Sequence, residues 1–285
     1  MVEKEKLKLE KNALTMDQIE RYSRQILLRE VGSKGMKLLL SSTVAIVGAG
    51  GLGCPIAQML ASMGVGTLKL IDGDHVELTN LPRQPMHYTS DIGKFKVDSL
   101  MEKIGDMNPD VKLIPIKKFL DKDNIQEILE GCDYVLDASD NIATKFLIND
   151  ACIYFNIPFT IAGVVQWFGQ LVSVIPGKTT CYRCIFRNLS EPDETTSCSG
   201  AGVMGTIPTF AGVLQANEAV KFLLGLPLKF INGMFSFDLL MSSFDLIQIL
   251  KDKSCKACSD PHFAYYETED YGVSLNSRKS KVCPL

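Results

Sequence analysis

The stretch 43–72 alternates two apolar runs with one helical pattern. Thr43–Val47 is a continuous apolar run of strand length, 54–63 carries apolar residues at helical spacing, and a second apolar run ends at Asp72. This predicts a β-α-β unit. The alternation recurs downstream. Helices are expected at 94–107, with Val97, Leu100, Met101 and Ile104 on one face, at 124–129, and from 139 to about 154. Strands are expected at 111–116, Tyr134–Asp137, 158–163 and 171–175. The fold class is α/β: a Rossmann-like, mostly parallel sheet flanked by helices.

Upstream, Ile19, Tyr22, Ile26 and Leu27 fall at helical spacing behind Asp17 as a cap, with Gly32 as the break and a second helix at 34–40. Composition shifts at Pro176. Residues 187–206 are rich in Ser, Thr, Gly and acids and read as a long loop. A helix at 209–224 and antiparallel strands at 230–240 and 244–250 follow. The organisation reads as a loose arm (1–15), one domain (16–260) with halves 16–175 and 176–260, and a tail (261–285).

The net charge of −3 gives no electrostatic case for nucleic-acid or membrane binding. No apolar run reaches the roughly 18 residues of a membrane span, and the charged N-terminus lacks the apolar core of a secretory signal. A cytoplasmic location is expected. Nine cysteines are many, but the number is odd and a chain of 285 residues is long, which is not a small secreted disulfide framework. Cys54, Cys132 and Cys152 lie in apolar contexts and read as buried thiols.

Gly48-Ala49-Gly50-Gly51-Leu52-Gly53 lies at the first strand-to-helix turn, with Asp72 after the second strand. Such a turn brings backbone amides to a phosphate, and the acid can take ribose hydroxyls, so NAD is the first reading. Ligands sit at the carboxyl ends of strands in open α/β sheets. Those ends also collect Asp74, Asn80, Asp137 and Asp140, with Arg83, Gln84 and Lys96 nearby. A triphosphate needs cations and a carboxylate-held magnesium, which Arg83, Lys96 and Asp140 can supply. Taken singly, each cation reads as a solvated charge and Asp140 as a helix cap; together they favour ATP over NAD.

Cys181/Cys184 and Cys255/Cys258 are two CxxC pairs. Four thiolates suit a tetrahedral structural zinc; redox pairs or plain core are the alternatives. Of the three histidines, His75 and His87 read as structural or surface residues.

These stretches, in this order, resemble the ubiquitin-activating-enzyme-like adenylyltransferases, especially the MoeB/ThiF activators of sulfur-carrier proteins. The resemblance rests on Arg21-Tyr22-Ser23-Arg24-Gln25, the glycine turn, Leu70-Ile71-Asp72, Asn80-Leu81-Pro82-Arg83-Gln84 and Gly93-Lys94-Phe95-Lys96. It continues through Asp137-Ala138-Ser139-Asp140-Asn141, the CxxC pairs and the stretch from Cys198 to Gly205, covering about 16–260. It implies that Gly48, Gly50, Gly51 and Gly53 cradle ATP and that Asp72 takes the ribose. Asn80, Arg83 and Lys96 would contact phosphates, Asp140 would hold Mg2+, and Asp74, Gln84 and Asn141 would line the site.

Arg24 would reach into the other subunit of a homodimer. The four CxxC cysteines would hold Zn2+, and Cys198 is either a thiol near the product or a loop cysteine without a role. The implied reaction joins the C-terminal carboxylate of a ubiquitin-fold sulfur carrier ending in Gly-Gly to AMP, releasing pyrophosphate. That carrier would belong to a molybdopterin, thiamine or related sulfur route. The nucleophile is already ionised, so no general base is required. One departure is Lys145, where the family usually has Arg; Lys keeps the charge but loses the fork. Alternatives are the same chemistry on a small-molecule or peptide carboxylate, a non-catalytic adaptor, and an NAD-dependent oxidoreductase.

Overall fold

The apolar run 43–47 becomes a strand buried on both faces, as a parallel strand covered by helices must be. In β1 (Thr43–Val47), Val44 and Ile46 face one core and Ala45 and Val47 face the other. The computed structural model describes residues 13–186, 201–269 and 271. Among them, eight strands form one sheet in the order β3-β2-β1-β4-β5-β6-β7-β8. β2 (Thr67–Ile71), β3 (Lys112–Ile116), β4 (Tyr134–Asp137) and β5 (Phe159–Val165) join β1 in parallel. β6 (Phe168–Val174), β7 (Gly233–Asp238) and β8 (Ser243–Gln248) continue it antiparallel. The expected fold class is therefore borne out, including the antiparallel extension.

The helices are α1 (Met16–Arg21), α2 (Ser23–Ile26), α3 (Gly32–Leu40), α4 (Gly53–Ser62), α5 (Lys96–Met107), α6 (Ile125–Leu129), α7 (Ile142–Tyr154), α8 (Tyr182–Ile185), α9 (Thr206–Leu223) and α10 (Tyr265–Thr268). Three readings shift. Thr15, not Asp17, caps α1, because its hydroxyl accepts the Gln18 N–H and Gln18 reciprocates in a capping box. The expected first helix breaks at Tyr22, whose ring is drawn into the core and whose hydroxyl bonds Asp110 and Asn108. α9 starts at Thr206, since Pro208 in a first turn forfeits no helical hydrogen bond.

Two cores sandwich the sheet, with α4, α5 and α9 supplying one and α6 and α7 the other. Part of the segment read as a tail packs there too. Tyr266 is buried in the second core, and the Tyr271 hydroxyl donates to Asp150 on α7 at 2.7 Å. No helix among the described residues is long and apolar enough to cross a membrane.

Candidate functional site

After β1 the chain crosses to β2 on one side, whereas β4 lies on β1's other side. The carboxyl ends of β1 and β4 therefore flank the switch point where open α/β sheets take ligands. Gly48 ends β1 at φ +107°, and a Cβ there would lie 2.5 Å from the Ala138 carbonyl after β4. A Cβ on Gly53 would lie 2.0 Å from the Gly48 carbonyl. Only glycine permits the helix start to close so tightly on the strand end. Gly50 and Gly51 face Gln84, the Arg83 carbonyl and Pro208.

Asp72 follows β2 and braces the turn: its Oδ2 accepts the Ala49 N–H and its Oδ1 the Asp74 N–H, both at 2.8 Å. Burial raises its pKa, against the opposing pull of Lys96 and the two amides. Lys96, the first residue of α5, is buried and donates to Asp74 Oδ2 at 3.1 Å. Arg83 is half-buried and its Nη1 donates to the Thr79 carbonyl at 2.7 Å. Asn80 is buried, its Oδ1 accepting the Glu77 N–H. Gln84 is 4% exposed, and its Oε1 is buried without a hydrogen-bond partner among the described residues. Such an orphaned acceptor beside the glycine turn fits a ligand that brings a donor.

At the end of β4, Asp137 is fully buried and accepts from Lys145 Nζ, Ser139 N–H and Ser139 hydroxyl. Burial raises its pKa and Lys145 opposes the rise. Asp140 stands exposed on the turn that follows. The helix cap is Asn141, whose Oδ1 accepts the Thr144 N–H at 2.8 Å. Lys145 points inward. Gln215 of α9 adds a second brace, its Nε2 donating to the Asp137 carbonyl at 2.8 Å. The pairing of Lys145 with Asp137, Ser139 and Ala162, and that of Gln215 with the Asp137 carbonyl, carried no sequence signal, because the partners lie on separate elements.

The four CxxC cysteines converge, although 70 residues separate the pairs. Their sulfurs lie within 4.8 Å of one another, with Cys181 3.7 Å from Cys184 and 3.6 Å from Cys255, and Cys184 3.5 Å from Cys258. Four sulfurs at about 2.3 Å around a tetrahedral zinc would sit about 3.8 Å apart. A disulfide needs about 2.05 Å, so the cluster suits zinc and is not two disulfides. It joins α8, after β6, to the segment after β8.

Arg24 is exposed on α2. Cys198 lies outside the described residues. His75 is exposed, its ring tilted on Phe95 with centroids 4.0 Å apart, and His87 is buried.

A family model described as "ThiF family" matches residues 22–258. The chain belongs to the ThiF family. A ThiF-family relative named SAMP-activating enzyme E1, from Haloferax volcanii, is 38% identical over 259 residues, covering 91% of this chain and 96% of its own. Adenylyltransferase and sulfurtransferase MOCS3 of Culex quinquefasciatus is 41% identical over 255 residues, or 88% of this chain. This chain spans only 58% of that relative's length. A solved structure of E. coli MccB with MccA-N7isoASN aligns with a TM-score of 0.74 at 24% identity, over 88% of this chain and 76% of that one. At that identity the likeness speaks for the ThiF fold alone.

Proposed function

We propose that this ThiF-family chain is an adenylyltransferase that activates the C-terminal carboxylate of a ubiquitin-fold sulfur carrier ending in Gly-Gly, using ATP and Mg2+. The observation that carries this is the convergence of the glycine turn, Asp72, Lys96 and the Asp140 turn on one switch point. The relatives named as an E1 and as MOCS3 adenylyltransferases favour a protein carrier over a free small acid.

Gly48, Gly50, Gly51 and Gly53 would bring backbone to the phosphates, and Asp72 has lone pairs left for ribose hydroxyls. Arg83 and Lys96 would offset the repulsion between a carboxylate and a polyphosphate and stabilise the departing pyrophosphate. Asn80, Gln84, Asp74 and Asn141 would line the same ground. Asp140 would hold the magnesium, whose chemistry is to neutralise phosphate charge. Cys198 is proposed only as a thiol that meets the adenylate. Zinc would be structural, since four protein thiolates leave no open position.

A homodimer completes the site. Arg24 is exposed on α2, and Met16, Ile19, Leu27 and Leu28, close to it in sequence, expose apolar surface. A groove of about 350 Å³ lined by Ala13, Leu14, Ile19, Ile26, Ser33 and Lys37 lies on the same face. These features support a protein contact there. The test is mass spectrometry of Gly-Gly carriers incubated with enzyme, ATP and magnesium. A carrier heavier by one AMP is expected; transfer to a peptide or small acid but to no carrier would favour the alternative substrate.

A further inference from the structure

His87 holds no place in the site described above, yet it touches the glycine turn. It is 3% exposed. Its Nε2 lies 2.9 Å from the Ala49 carbonyl and its Nδ1 2.8 Å from the Ser99 hydroxyl on α5. A carbonyl only accepts, so Nε2 carries the proton and donates to Ala49. Nδ1 then accepts the Ser99 hydroxyl proton. The Ser99 oxygen accepts in turn from Lys103 Nζ at 2.9 Å, and Lys103 also ion-pairs with the buried Asp91. The whole chain of donors runs in one direction, from Lys103 to the turn.

The Ala49 residue is thus gripped at both ends. Asp72 holds its N–H and His87 holds its carbonyl. In a trans peptide the carbonyl and the following N–H point in opposite directions. With the Ala49 carbonyl drawn toward buried His87, the Gly50 N–H in the same plane is aimed away from the core.

We propose that His87 is a positioning residue for nucleotide binding: it fixes the Ala49–Gly50 peptide so that the Gly50 N–H faces the phosphates. This rests on the reading of the turn as an ATP site.

Two substitutions separate positioning from packing. The Gln amide nitrogen lies as many bonds from Cα as His Nε2 and can reach Ala49; the Asn nitrogen matches Nδ1 and can reach only Ser99. ATP affinity is measured by calorimetry on the full chain, with the ligand-free melting temperature recorded alongside. His87→Gln is expected to stay within about threefold of wild type, and His87→Asn to weaken ATP by about tenfold, the scale of one hydrogen bond. A packing role would weaken both variants alike. If His87→Asn binds ATP within about twofold of wild type, or if the two variants weaken equally, the proposal is overturned while the ATP site stands. Absence of ATP binding by the wild-type chain overturns the reading of the turn and the proposal with it.

Discussion

Lys145 donates to Asp137 across 2.6 Å, at the buried carboxyl end of β4. Its remaining protons go to the Ser139 carbonyl at 2.8 Å and the Ala162 carbonyl at 2.6 Å. A compact ammonium with three donors meets three convergent acceptors from β4, the turn after it and β5. The Lys found where the resemblance implies Arg is thus a brace for the turn that carries Asp140. Lys145→Met would leave a buried carboxylate unpaired, and is expected to lower unfolding free energy by about 3–5 kcal/mol in urea denaturation. Lys145→Arg keeps the charge and is expected to cost less. A methionine variant within about 1 kcal/mol of wild type would contradict the brace.

The cysteine cluster ties the segment after β8 to α8, and Arg183 within the first pair grips Asp150 on α7 with a bidentate pair at 2.7–3.0 Å. Stripping zinc with a chelator is expected to lower the melting temperature clearly while changing ATP affinity by less than about threefold, since metal binding contributes folding free energy. An unchanged melting temperature would refute a structural site.

Acid should act through His87. Burial lowers its pKa from 6.5, and Lys103 and Lys96 lower it further, against the Ala49 carbonyl and Asp91. The fold thus favours the neutral ring, and the unfolded chain binds the proton first. That stabilisation is complete above pH 6.5 and is lost as pH falls through the lower folded-state value. Asp72, Asp137 and Asp150 are raised by burial and act in the opposite sense. They do so equally in wild type and His87→Gln, so the difference between the two isolates the histidine. That difference is expected to be flat above pH 6.5 and to turn against wild type below it. A difference constant with pH would refute the linkage.

If Arg24 serves the partner's site, two inactive variants should complement. Arg24→Ala and Asp140→Ala, mixed and re-equilibrated, are expected to recover about a quarter of wild-type activity, because half the dimers carry one intact site. No recovery, with mixed dimers shown to form, would place Arg24 in its own chain's site or outside any.

The sequence made the central sheet legible because β1 and β4 are buried on both faces and read as near-continuous apolar runs, while β2 shows through its Leu68, Leu70 and Ile71 although Lys69 interrupts it. Gly48 and Gly53 were legible because strand end and helix start approach too closely for a Cβ. The CxxC pairs were legible by spacing, and the four-thiolate cluster expected of them is the one observed. What stayed hidden were polar contacts made across elements. Lys145 meets acceptors up to 17 positions away, and His87 meets the Ala49 carbonyl 38 positions upstream. Neither separation has a periodicity. Tyr266 and Tyr271 were hidden for the same reason: a short segment docking on α7 needs no amphipathic pattern of its own.

The most direct test is ATP–pyrophosphate exchange driven by a Gly-Gly carrier, with wild type and Asp140→Ala side by side. Exchange that requires carrier, magnesium and wild-type Asp140, with the variant still folded, is the expected result. A folded Asp140→Ala chain exchanging at near-normal rate, or no exchange by wild type with any Gly-Gly carrier, would contradict the proposed adenylyl transfer.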